Sequence, residues 1–490
     1  MMASDRRGAA ILLVNTNCIR PAVAPIGLDY LADSLRGAGH EPALLDLCFS
    51  QDVEQDMTAA FKTEPAVVGV TVRNTDDCYL AAEGGLSSAT SAFFLPGIRE
   101  TVQAIRTHSD APVVLGGVGF SLMPEAVVQY CGADFGVAGE GEEAFTALAS
   151  ALEAGTELSG VPGLLWWDDT GLRRNAPRET PLERLPGRTR SFVDNARYFR
   201  EGGQAGFETK RGCPMTCMYC ADPVAKGRKS RLLPPRMVVS EIKALLSQGI
   251  DHLHACDCEL NLPLGHAQDV CRAIMDAGLA GRIRWYAYCS VEPFDGETAQ
   301  LMRDAGCAGI DFGADSGCEE MLRRLGRHYG PQALLDAAAA CRQAGIPFMY
   351  DLLLGGPGET PETVRQSLDL VRKAGPDRIG LSLGIRIYEG TALAAQVRAA
   401  GPLSANPALL GARLDNDSLL KPVFYLSPAL GSDPGGLVRE LVGGDERVFL
   451  PGGPDETRDY NYADNERLVR AIARGERGAY WDILRRTAGA

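Results

Sequence analysis

From residue 8 to about 150, short apolar runs alternate with amphipathic stretches. AAILLVN, EPALLDL, VVGVTV, APVVLGG and ADFGVAG each have the continuous apolar character of a strand buried on both faces, and helical patterns such as residues 28–38 separate them. The alternation predicts an α/β domain with a doubly wound (Rossmann-like) parallel sheet. Ligands of such sheets gather beyond the strand C-termini, which here are the turns at Asn15, Asp46, Arg73, Gly116 and Gly139. Residues 151–205 are rich in Pro, Arg and Gly and carry a turn signal at residues 166–171, so a linker with a short hairpin is expected. A second βα series begins near Phe207 with IDHLHACD, RIRWYAYC, AGIDFGAD, FMYDLLLG and IGLSLGIRIY. It predicts a partial or full TIM-type (β/α) barrel over residues 206–400. Residues 401–490 form a less regular C-terminal extension, closed by a predicted helix over 465–486.

Length, charge and cysteine content narrow the function. A chain of 490 residues suggests about three domains. Acidic residues outnumber basic ones by 63 to 49, for a net charge of −14, which argues against an extended electropositive face for nucleic acid. No apolar run approaches the roughly 18 residues of a spanning helix, so no membrane partner is expected. The N-terminal apolar stretch breaks at Asn15 and reads as a first strand rather than a secretory signal. A cytoplasmic location follows, where 14 cysteines imply reduced thiols used for metal binding or catalysis, most of them buried and inert.

One segment concentrates that chemistry. RGCPMTCMYCADP places Cys213, Cys217 and Cys220 as CxxxCxxC on a loop after a predicted strand. Three thiolates there can hold three irons of a [4Fe-4S] cubane and leave the fourth open to chelate S-adenosylmethionine (SAM). A zinc site would call for a fourth Cys or His at suitable spacing, and none is nearby.

The motif, with Tyr219 directly before its last cysteine, resembles the signature of the radical SAM superfamily over residues 200–400. The resemblance implies reductive cleavage of SAM to a 5′-deoxyadenosyl radical, driven by a flavodoxin- or ferredoxin-like one-electron reductant. It also suggests further cofactor-binding residues. Glu259, in Asp257-Cys258-Glu259, stands where the family has a Gly-Gly-Glu-like element that holds an amino group. Asp315 or Ser316, in GADSG, would accept ribose hydroxyls. Gly355 and Gly356, in LLLGGPGET, would lie near adenine or methionine, unless the segment is a plain turn with Thr360 capping a helix that opens at Pro361. GIRIYEGT resembles a late-strand segment of the cobalamin-binding subgroup: Ile387 would meet adenine through its backbone, and Arg386 would pair with a carboxylate or form a structural ion pair.

The N-terminal domain, residues 1–150, resembles the cobalamin-binding domain of that subgroup. The likeness rests on Pro25-Ile26-Gly27-Leu28, Thr71-Val72-Arg73, Gly116-Gly117-Val118-Gly119-Phe120 and Gly139-Glu140-Gly141-Glu142, where glycines would let backbone approach a flat corrin. Cobalamin domains that supply a cobalt ligand use Asp-x-His-x-x-Gly, but here Cys48 stands at the histidine position. No protein imidazole on cobalt is therefore expected, with Arg73 or a water beneath the corrin; Cys48 otherwise reads as a small buried hydrophobe, and Arg73 as a surface or interdomain ion pair. A nicotinamide site is disfavoured because Asn15-Thr16-Asn17-Cys18, not GxGxxG, follows the first strand.

Together these features imply a cobalamin-dependent radical SAM methyltransferase acting on an unactivated carbon of a small, biosynthetic molecule. One SAM would methylate cobalt(I), another would generate the radical, and the substrate would collect the methyl group. Alternatives with the same cofactors are a non-methylating rearrangement, cyclisation or epimerisation, and non-radical methylation of an activated ring carbon; a cobalamin sensor or carrier without turnover is the alternative outside enzymes. In the C-terminal region, Tyr460, Asn461, Tyr462, Asp464, Asn465 and Tyr480-Trp481-Asp482 suit either a small-molecule pocket or helix packing with an N-cap.

Overall fold

In the computed structural model, which describes residues 8–80, 91–412, 415–450 and 459–488, the five apolar runs of the first half become strands. These are β1 (Ala10–Asn15), β2 (Glu41–Asp46), β3 (Val67–Thr71), β4 (Val113–Gly116) and β5 (Phe135–Val137), all parallel, followed by a hairpin of β6 (Leu164–Asp168) and β7 (Gly171–Arg174). Their order, β2-β1-β3-β4-β5-β6-β7, reverses direction between β1 and β3, the switch point at which doubly wound sheets bind ligands. Register sets Asn15 level with Asp46 and with Thr71, and Thr71 level with Gly116, so four turns share one sheet edge.

The chain divides into two compact units, one of residues up to Asp76 plus Phe93–Asn195, the other of Asp77–Ala92 plus everything from Ala196. Residues 151–195, expected as part of a linker, are thus built into the first unit. The hairpin pairs antiparallel with β5 and covers that edge. Downstream, Asp29 of helix Ile26–Gly37 collects the segment 190–195: its carboxylate pairs with Arg190 Nε at 3.0 Å and accepts from Phe192 N, Val193 N and Asn195 Nδ2. Every lone pair of this fully buried carboxylate has a donor, which offsets its desolvation.

The second unit contains β8 (Ala205–Phe207), the short antiparallel pair β9 (Lys210–Arg211) and β10 (Arg231–Leu232), then β11 (His252–Ala255), β12 (Arg284–Cys289), β13 (Cys307–Asp315), β14 (Phe348–Leu354) and β15 (Arg378–Leu383). β16 (Ile385–Arg386), β17 (Leu409–Leu410) and β18 (Phe424–Tyr425) form a small antiparallel sheet, and β19 (Val448–Phe449) returns to the large one. The large sheet runs β8-β11-β12-β13-β14-β15-β19, parallel throughout, with β8 and β19 as its edges among the described residues. The barrel is therefore partial, and the C-terminal extension adds a strand to it.

The period of two along β12 to β15 sends Trp285, Ala287, Phe312 and Leu352 to the buried outer face, and Tyr286, Tyr288, Asp311, Met349 and Asp351 to the inner one. One end of the inner face is filled by Trp481 and Leu484 packed on Tyr286 and Met349, and a Cβ at Gly309 would come within 2.9 Å of the Trp481 ring. The closing helix expected over 465–486 is instead two, Glu466–Ala473 and Tyr480–Thr487. Gly475 and Gly478, at φ +103° and +123°, break it, and a Cβ at Gly478 would lie 2.5 Å from the Tyr286 hydroxyl. Asn465 caps the first of the pair through Leu468 N. Among the described residues no helix is long and apolar enough to cross a membrane.

Candidate functional site

The cysteine loop leaves β9 through Gly212, whose φ of +83° and 2.1 Å Cβ approach to Lys229 O exclude any side chain. Backbone hydrogen bonds hold the loop: Cys213 N to Gly227 O, Met218 N to Leu325 O, Cys220 N to Cys217 O and Leu393 N to Met218 O. Met218 packs into an apolar cluster with Leu325, Ile385 and Ile387, so the loop sits against the far side of the barrel mouth. Burial pushes all three thiols up, Cys217 to about 11 and Cys220 to about 12. Such thiols ionise when a metal takes the proton's place.

Around this loop the ends of β11 and β13 and the end of helix Glu319–Leu325 bring charge together. Tyr219 donates its hydroxyl hydrogen to Asp315 Oδ2 at 2.6 Å, Arg327 Nε reaches the same oxygen at 2.5 Å, and Arg327 Nη2 donates to the Tyr219 hydroxyl at 2.9 Å. Asp315 is held in the left-handed region, φ +59°, at the end of β13. Glu259 lies on the other side of the guanidinium, with Oε1 3.6 Å from Arg327 Nη1 and a buried Oε2 that meets no hydrogen-bond partner. Burial raises its carboxyl to about 7, partly offset by Arg327. Sequence reading missed Arg327; the only signal was an arginine directly after Gly326, the residue that ends helix Glu319–Leu325.

The remaining expected residues of this unit are placed differently. Asp257 is structural, its carboxylate accepting from Thr209 N, Thr209 Oγ1 and Lys210 N. Ser316 is buried with its hydroxyl engaged by Ser367 Oγ and Cys318 N, so of the two ribose candidates only Asp315 stands beside the loop. Gly355 and Gly356 donate their N–H groups to Glu359 Oε2, while Thr360 caps helix Pro361–Ala374, so the turn reading describes their local geometry. Arg386 extends over the Tyr388 ring at 4.4 Å and donates to the carbonyls of Ile387, Leu419 and Leu420. Ile387 N is taken by Val423 O.

In the first unit the expected loops meet along the sheet edge. Val72 N donates to Gly116 O, and Gly119 N to the carbonyls of Val72 and Arg73. A Cβ at Gly117 or Gly119 would strike that same turn at 2.7 and 2.9 Å, so these two glycines let the two loops pack closely. Gly27 differs: a Cβ there would meet nothing within 4 Å among the described residues, and beyond Gly116, Gly139 and Gly141 the nearest atoms lie 3.7 Å or more away. Arg73 is exposed, and Val118 keeps 45% of its surface, an apolar side chain left open among backbone-lined turns. Phe120 lies in the core under Gly136, and Glu140 accepts from Thr180 N. Pro25 opens helix Ile26–Gly37 by accepting from Leu28 N. Cys48 is buried, with Arg20 on its sulfur and carbonyl.

A doubly wound sheet with the flavodoxin-like switch point, followed by a parallel partial barrel that carries CxxxCxxC at its mouth, defines a radical SAM protein with a second cofactor domain. Residues 207–383 match the Radical SAM superfamily and residues 12–149 the B12 binding domain. The tryptophan 2-C-methyltransferase of Streptomyces laurentii is 33% identical over 97% of this chain and 96% of its own. The chain belongs to the cobalamin-dependent radical SAM methyltransferases, and its cofactors are a [4Fe-4S] cluster, SAM and cobalamin. Among solved structures it is similar to the radical SAM methyltransferase TsrM from Kitasatospora setae with tryptophan substrate and a SAM analogue bound, at TM-score 0.87 and 32% identity over 98% of this chain and 97% of that one. The same enzyme has been solved with cobalamin and the cluster (TM-score 0.86). The cobalamin-dependent radical SAM enzyme OxsB, 17% identical with TM-score 0.70 over 86% of this chain and 64% of its own, shares the fold.

Proposed function

We propose that the chain methylates a carbon of a small aromatic amine resembling tryptophan. The end-to-end match to a tryptophan 2-C-methyltransferase, 97% of one chain on 96% of the other, carries this reading. Cys213, Cys217 and Cys220 hold the cluster. Glu259, Asp315 and the backbone around Gly355, Gly356 and Ile387 take the polar groups of SAM, with Tyr219 fixing the loop and Arg386 fixing the strand end. The unpartnered Glu259 Oε2 supports this, because a buried carboxylate oxygen without a donor suits an ammonium or an iron. Pro25, Gly27, Thr71, Val72, Arg73, the loops 116–120 and 139–141 cradle cobalamin, and the open space at Gly27 with exposed Val118 supports an apolar, flat ligand. Buried Cys48 is not a cobalt ligand.

When bound, these groups supply a cobalt-carried methyl group and a reductively cleavable sulfonium. The protein positions and desolvates. Arg327 neutralises Asp315 and leaves its geometry rigid, while Tyr219 ties the cysteine loop to the strand that carries Asp315. A flavodoxin- or ferredoxin-like reductant and a cytoplasmic setting complete the proposal.

Anaerobically reconstituted protein, given tryptophan and SAM labelled in its methyl group, is expected to yield product heavier by the labelled methylene. Failure with tryptophan and with its ring- and chain-altered analogues sinks the reading. Deuterium at the acceptor carbon that appears in 5′-deoxyadenosine assigns hydrogen abstraction. Deuterium lost to solvent assigns direct methylation of an activated ring carbon. Cys217→Ala is expected to lose iron and SAM cleavage together.

A further inference from the structure

The inner face of a parallel barrel is normally filled by branched apolar side chains. Here β13 and β14 place Asp311 and Asp351 on it, diagonal neighbours since Asp311 pairs with Met349 and Gly313 with Asp351. Asp311 is 4% exposed, and both Oδ1 atoms are buried without a hydrogen-bond partner. Burial and their mutual proximity push Asp311 well above the usual carboxylate range; burial raises Asp351 to about 7 although Tyr460 and Asp311 donate hydrogen bonds to it. The other groups acting on the pair are the carboxyls of Glu259 and Asp315, so among the described residues no cation compensates it.

What surrounds the pair is aromatic. Tyr79, Tyr288, Tyr460 and Tyr462 all have phenols raised by burial and by these two carboxyls. Tyr79 meets Tyr460 edge-on at 5.6 Å, and Tyr460 meets Tyr462 at 5.9 Å; the Tyr462 hydroxyl is buried without a partner. Gly380 on β15 makes the space, since a Cβ there would lie 2.3 Å from the Tyr460 ring and 2.4 Å from Asp351 Oδ1. Tyr288 is 42% exposed although β12 has strands on both sides and its ring packs on His254 at 5.1 Å, so the inner face of the curved sheet stays open beside it. Burial holds the His254 imidazole down at about 4, hence neutral.

Carboxyls without a cation, free acceptor oxygens and a ring of π faces are the elements of an ammonium site. We propose that Asp311 and Asp351, within the cage of Tyr79, Tyr288, Tyr460 and Tyr462, bind the ammonium group of the substrate, a primary amine with an aromatic body. Gly313, whose Cβ would lie 3.3 Å from Arg327 and 3.5 Å from Glu259, stands one inward position above Asp311. The carboxyl pair thus adjoins the charged network beside the cysteine loop. This deepens the reading under Proposed function and rests on it for the aromatic body alone.

The test compares L-tryptophan, tryptamine and indole-3-propionate as probes of the anaerobic holoenzyme by equilibrium dialysis. Tryptophan and tryptamine are expected to bind about tenfold or more tighter than indole-3-propionate, as a charge-assisted contact requires. Asp311→Asn and Asp351→Asn, each isosteric, are expected to remove that preference, leave indole-3-propionate unchanged and keep or raise Tm. Equal binding of all three probes, equal loss of all three in the variants, or retained amine preference in both variants overturns the proposal. SAM-dependent methylation of bound cobalamin, followed by absorbance without any amine, is unchanged in the variants; its absence in the wild type counts against the proposed function and leaves the probe result decisive for this site.

Discussion

The Tyr219 hydroxyl and Asp315 Oδ2 meet at 2.6 Å although 96 residues separate them. Tyr219 sits between the second and third motif cysteines, and Asp315 ends β13. This one hydrogen bond fixes the cysteine loop to the barrel strand whose inner face also carries Asp311. Arg327 closes the triangle by contacting both partners.

Replacing Tyr219 by Phe removes the donor but leaves the Arg327 pair to satisfy Asp315. A loss of about 1 kcal/mol in stability is expected for a single hydrogen bond. Iron content is expected to stay at the wild-type level while KM for SAM rises a few-fold, measured by iron analysis and steady-state kinetics.

Arg327→Met leaves Asp315 and Glu259 buried without their shared cation. Breaking a buried pair from one side costs about 3–5 kcal/mol, so a large fall in the midpoint of denaturant unfolding is expected. Arg327→Lys is expected to recover only part of it, because an ammonium cannot span Asp315 and the Tyr219 hydroxyl as the planar fork does.

Asp351 gives a pH signature. Its carboxyl is raised from 3.8 in the unfolded chain to about 7 in the fold, chiefly by burial, so the unfolded state ionises first. Folded stability from this group is therefore complete below pH 4, is lost as pH climbs to 7, and is flat beyond. Asp351→Asn removes this group's share of the slope: its stability relative to wild type is expected to grow from pH 4 to 7 by about 2–4 kcal/mol and then level off, measured by urea unfolding across that range.

In the first unit Asp29→Ala strands Arg190, Asn195 and two backbone N–H groups in the core. A loss of about 3–5 kcal/mol is expected. Limited proteolysis checks its location, with early cleavage expected within residues 188–195.

Much of this was legible in advance. The buried runs at β1, β3 and β4 announce a parallel sheet, and CxxxCxxC with Tyr219 announces the cluster chemistry, because both signals are local. Arg327 was not legible, since an arginine after a helix-ending glycine looks like any surface residue until β13 and β11 bring Asp315 and Glu259 to it. The same holds for residues 151–195: a Pro-rich segment reads as linker, and only the buried Asp29 carboxylate shows why it folds onto the first unit. Phe120, Gly117 and Gly119 lie in the expected loop, and the tight contacts they make with Gly136 and the turn at Val72 and Arg73 became visible only in the fold.

Linear order thus specifies the periodicities, the turns and the three cysteines, because hydrophobic alternation and ligand spacing act over a few residues. Folding selects which inward positions of neighbouring strands become partners, and so creates the Asp311–Asp351 pair, its tyrosine surround and the Arg327 bridge. Those depend on strand register and on burial, which shifts a carboxyl's ionisation only after water has been removed from around it.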